Sequence, residues 1–130
     1  MHTHSHALVG WLVAEAIPGL ERRDRVLIFL AGVVPDLDGL TILGKVAGHP
    51  ELYENWHHVL CHNITAAAAY ALIAGVFAKR RVAVALLALV GFHLHLLSDY
   101  LGSASPDGSP WSIPYLRPFS AHDYYNDYQW

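Results

Sequence analysis

The chain has 130 residues, one cysteine and a formal net charge of -3, which bounds it to a single domain (1–130) and excludes an internal disulfide or a thiolate metal cluster. Hydrophobic residues make up 54% and charged residues 15%, and the mean hydropathy is +0.28; this is rich for a soluble domain and lean for a polytopic membrane protein. The acidic balance carries no nucleic-acid signal, whereas ten histidines outnumber the eight lysines and arginines combined.

The N-terminal "MHTHSH" has no basic n-region, so no secretory leader is expected. "HALVGWLVAEAI" is apolar at near-helical spacing and stops at Pro18 and Gly19. After the charged turn "ERRDR", "VLIFLAGVV" reads as a second helix that ends at Pro35. A short piece, "GLTILGKVAG", precedes the loop at "HPEL". "ENWHHVLCHNITAAAAYALIAGVFA" reads as one long helix because its alanines favour that state. "KRR" makes a basic turn before a last helix, "VAVALLALVGFHLHLLSDYL". From Gly102 to Trp130 the chain is rich in Pro, Gly, Ser and aromatics, an irregular wrap or tail. The expected fold is all-α, a small antiparallel bundle of two helical hairpins with an irregular C-terminal segment.

Polar residues interrupt the apolar runs at corresponding heights. If the third and fourth helices fold back about Arg80, His62, His95 and Asp99 lie level. Folding the first pair about Glu21 sets His6 beside Asp36. One cluster would then hold His6, Asp36, Asp38, His62, His95 and Asp99. His95 and Asp99, four apart, share a helix face. His58 and His62 have the same spacing, so regular helix favours His58 over His57. His93 points elsewhere and reads as a packed, hydrogen-bonded side chain. Cys61 reads as a small packing residue. For any one of these residues a satisfied core histidine, or a solvated aspartate in the "VVPDLDGL" turn, is an adequate account; their coincidence at one end is what argues for ligands.

"SHALVG", "VVPDLD", "HHVLCHN" and "GFHLHLLSD" together resemble, in order and spacing over roughly residues 4 to 120, a family of LexA-binding, inner-membrane-associated metal-dependent hydrolases. More distantly the pattern is similar to the zinc-dependent phospholipase C and P1 nuclease group. By position, the resemblance implies His6, Asp36, Asp38, His57, His62, His95 and Asp99 as metal ligands, and so favours His57 where helical spacing favours His58. The family's "HRGxTHS" has Arg, Gly, Thr and Ser where this chain has His58, Val59, Cys61 and Asn63. The later ligands of the phospholipases have no counterpart unless His122 and Asp123 contribute. Two metals at most are therefore expected.

Mixed imidazole and carboxylate ligands suit Zn²⁺ first, with Mn²⁺ or Fe admitted by the aspartates. Asp36 and Asp99 are the carboxylates expected to serve catalysis by bridging two ions. The expected function is metal-dependent hydrolysis of a small-molecule or lipid phosphoester; the alternative is a non-catalytic metal-binding or membrane-associated bundle. The last two helices are apolar nearly all round, and each is at or below spanning length. Association with a membrane surface is favoured over a cytoplasmic location, and a homo-oligomer would hide the same surface.

Overall fold

Breakers and caps set the helix limits, and the computed structural model describes residues 3–102, Gly108 and 112–126. Helix α1 spans Thr3–Glu15 and ends before Gly19, whose φ of 76° favours a residue without a Cβ. Helix α2, Arg22–Ala31, starts earlier than its apolar run, inside the stretch expected to be a turn. The reason is Asp24. It is buried, and its carboxylate accepts the backbone N–H groups of Lys79 at 2.9 Å and Arg80 at 3.0 Å, just ahead of the last helix. This fixes the two inter-helix turns at the same end of the molecule.

Pro35 opens a 3₁₀ helix, Val34–Ile42, that runs into the short α3, Leu43–Val46. The single long helix expected from Glu54 to Ala78 is instead two. Helix α4 is Glu51–Trp56, and α5 is Ile64–Phe77. Between them His57 is extended and His58 takes a positive φ of 64°. Asn63 then restarts the helix, its side-chain oxygen accepting the Ala66 N–H at 2.8 Å. Histidine, valine and cysteine are weak helix formers, so tertiary contacts decide this stretch. Helix α6, Arg81–Gly102, is close to its expected extent.

Helix α1 packs along α2 and α5 along α6, and both α1 and α2 lie on α6. The core is built on α6 through Val84, Ala88, Phe92 and Leu96, against Ala14, Ile28 and Ala31. Small residues allow close approach. A Cβ on Gly32 would lie 2.6 Å from the His6 carbonyl oxygen, and one on Gly10 would lie 2.5 Å from that of Phe29. Residues 112–126 wrap irregularly over the bundle: Ile113 and Tyr124 form one antiparallel bridge, and the Tyr115 carbonyl accepts the Ile64 N–H at 2.8 Å. The rest of the expected tail lies outside the described residues. Among the described residues the architecture is all-α, with no strand.

Candidate metal centre

The end of the bundle opposite the turns collects the histidines. On α6, His95 and Asp99 sit one turn apart on a buried face, His95 Nε2 to Asp99 Oδ2 at 2.9 Å. The close α1–α2 crossing brings His6 to the same carboxylate, with Nε2 3.0 Å from Asp99 Oδ1. His62, just ahead of the Asn63 cap, directs Nε2 to Asp99 Oδ2 at 3.3 Å and to His95 Nε2 at 3.3 Å. Asp36, at the start of the 3₁₀ helix, stands 3.6 Å from His95 Nε2. Three imidazole Nε2 atoms therefore converge on one carboxylate, with a second beside them.

The other ring nitrogens hold these imidazoles in place. His95 Nδ1–H donates to the Gly32 carbonyl at 2.9 Å. That carbonyl is free because Gly32 caps the C-terminus of α2, where no helical partner remains. Asp38 accepts from Nδ1 of both His57, at 3.0 Å, and His62, at 2.9 Å. An Nδ1–H fixed in this way leaves Nε2 with the lone pair a metal needs.

Electrostatics follow from burial and pairing. Burial alone would raise the Asp38 carboxyl, but hydrogen bonds from His57 and His62 hold it well below the usual carboxylate range. Burial works against the His62 cation; its bonds to Asp38 and Asp99 prevail and lift it to about 9. For His58 the attraction of Asp99 and Asp38 is outweighed. Burial, reinforced by the neighbouring His62 and His57 charges, pushes it down to about 2.

Two sets of side chains offer ligand atoms that all lie within 4.8 Å of one another: His6, Asp36, His95 and Asp99, and His58, His62 and Asp99. They share Asp99. Among the described residues, the buried His6 Nδ1 and Asp36 Oδ2 find no hydrogen-bond partner. An unpaired buried carboxylate oxygen is costly, so this donor set fits a cation, and the groups could hold a metal ion.

Of the residues expected as ligands, His6, Asp36, His62, His95 and Asp99 are brought together. His57 and Asp38 are placed outside both sets, behind His62: the Asp38 oxygens are engaged by two imidazoles and, at 3.4 Å, by the Cys61 N–H. His58 stands where His57 was expected, because the positive φ at His58 turns its ring onto His62, with centroids 4.1 Å apart. His93 stays off the site, Nδ1–H donating to the Leu89 carbonyl and Nε2 meeting the Tyr115 hydroxyl. His122 and Asp123 are in neither set. The Gly32 carbonyl was not foreseen; its one sequence signal is a glycine closing a helix before "VVP".

No curated protein and no solved structure matches the chain, so the more distant likeness to phospholipases C and P1 nucleases finds no support there. The family model described as YdjM inner membrane protein matches residues 1–128. Arg81–Gly102 is, among the described residues, a helix long and apolar enough to cross a membrane. A chain matched from end to end by that model, with an apolar exterior and a buried His/Asp cluster, belongs to the YdjM inner membrane protein family.

Proposed function

We propose that the protein is a membrane-associated, metal-dependent hydrolase of a phosphoester, with a phospholipid as its substrate. The observation that carries this reading is the convergence of three Nε2 atoms on Asp99 with the unpaired Asp36 oxygen beside them. His6, His95, Asp36 and Asp99 would hold one ion, and His58 and His62 a second through the shared Asp99. Three imidazoles favour Zn²⁺ over Mn²⁺ or Fe. When bound, the metal supplies Lewis acidity that polarises a phosphoryl oxygen and acidifies a water for attack at neutral pH. The chain's own residues fix the imidazoles, and the more open edge of the site lies at Asp36 and His57, whose side chains are 14% and 13% exposed. An apolar groove of about 380 Å³, lined by Leu96, Leu97, Tyr100 and Ile113, runs one face round α6 from Asp99 and would suit an acyl chain.

One observation favours a second reading. The side chains of His6, His62 and His95 are fully buried and that of Asp99 is 2% exposed. Closed shells are typical of structural metals. The deciding experiment uses tag-free protein in detergent, metal-free and zinc-loaded, on bis(p-nitrophenyl) phosphate and a short-chain phosphatidylcholine. Zinc-dependent turnover that Asp36→Asn abolishes supports hydrolysis. Stoichiometric zinc with no turnover on either substrate assigns the ion a structural role.

A further inference from the structure

The charged residues are not spread evenly. Arg22, Arg23, Arg25, Lys79, Arg80 and Arg81 are six of the chain's eight basic residues, and all belong to the two turns or the helix starts beside them. Those turns are locked together. Asp24 binds the backbone of Lys79 and Arg80, and Lys79 Nζ reaches Glu21 at 2.8 Å. Only Lys45 and Arg117 lie toward the metal centre.

The opposite end is aromatic. Trp56, Tyr100, Phe119, Tyr124 and Tyr125 are all exposed there, Phe119 by 82%. Aromatic side chains of this kind settle at the boundary between acyl chains and headgroups. Between the two ends α5 and α6 present Leu72, Ile73, Val76, Val82, Leu86 and Val90 outward. With 22 residues, α6 is about 33 Å long, against a hydrocarbon core of about 30 Å.

We infer that the bundle crosses the membrane in one orientation: the basic turn end on the cytoplasmic side, the His/Asp cluster at the opposite interface. Lysine and arginine next to apolar segments are retained on the cytoplasmic side, and the bias counts basic residues rather than net charge. The paired acids Glu15, Glu21 and Asp24 at the turn end therefore do not offset it. Anionic headgroups of the cytoplasmic leaflet add an attraction for the same basic residues. The open edge at Asp36 and His57 then faces away from the cytoplasm, and its ligand arrives from the outer leaflet or the space beyond it. The orientation itself depends on the family's membrane placement, not on whether the site is catalytic.

The test is thiol accessibility in a Cys61→Ser background. Single cysteines are placed at exposed Ala16, in the α1–α2 turn, and at exposed Glu51, beside the metal centre. A charged, membrane-impermeant maleimide should label Glu51→Cys in intact cells, and Ala16→Cys only in inverted vesicles or after the membrane is opened. Detergent-solubilised protein should label at both. A thiol silent even there is replaced by Arg23→Cys or Val46→Cys. The reverse pattern overturns the orientation, and labelling of both positions from one side overturns the crossing.

Discussion

His62 lies between two carboxylates, Asp38 on Nδ1 and Asp99 on Nε2. In metal-free protein that position holds a proton, its pKa raised to about 9. A raised histidine pKa stabilises the fold fully below the unfolded value of about 6.5 and loses that contribution as pH rises through about 9. His58 acts in the opposite sense. Held neutral down to about 2, it disfavours the fold as pH drops below the unfolded value, where the unfolded chain gains a proton that the native state refuses. Asp38 adds stability that is present above its unfolded pKa of about 4 and lost only in stronger acid. Chelated protein should therefore show its highest thermal midpoint near pH 6.5, falling toward both pH 5 and pH 9. A midpoint that climbs steadily from pH 6.5 to 9 would show that His62 does not carry the proton assigned to it.

At the scale of elements, the crossing of α1 and α2 delivers His6 to Asp99, and it depends on two glycines. Gly32→Ala would push a methyl against the His6 carbonyl and Gly10 and displace the carbonyl that orients His95. Overpacking of this kind costs about 1–3 kcal/mol, so the thermal midpoint should fall by several degrees and zinc affinity should weaken with it. An unchanged midpoint and unchanged affinity would mean that the two helices part without cost. Part of this level was readable beforehand. The spacing of His95 and Asp99 gave them a shared face on α6; the hairpin register about Glu21 and Arg80 assumed an unbroken helix through His62, which the structure divides. The break between α4 and α5 was not readable, because "HHVLCHN" is stabilised by Asp38 reaching from the 3₁₀ helix, a contact that leaves no local periodicity. For the same reason the sequence did not distinguish Asp36 from Asp38, which are alike in "PDLD": only the fold turns Asp38 to the Nδ1 atoms of His57 and His62 and sets Asp36 beside His95.

The whole molecule leaves large apolar side chains exposed along α5 and α6. Leu72, Val82 and Leu86 are 69%, 73% and 58% exposed along one side, and lipid is the solvent that makes this tolerable. Alkaline carbonate and high salt should leave the protein in the membrane pellet, with extraction only by detergent; release by salt alone would indicate a surface attachment. Within that frame the candidate metal centre is the point where α1, α2, the 3₁₀ helix, the α4–α5 connection and α6 meet, so bound metal would tie those elements together. The most direct measurement is metal content per chain in tag-free protein, compared with His95→Ala and His93→Gln, each checked for helical content. The account predicts bound zinc in the parent and in His93→Gln, and its loss from His95→Ala. Metal absent from the parent after zinc loading, or lost from His93→Gln while retained by His95→Ala, would contradict it.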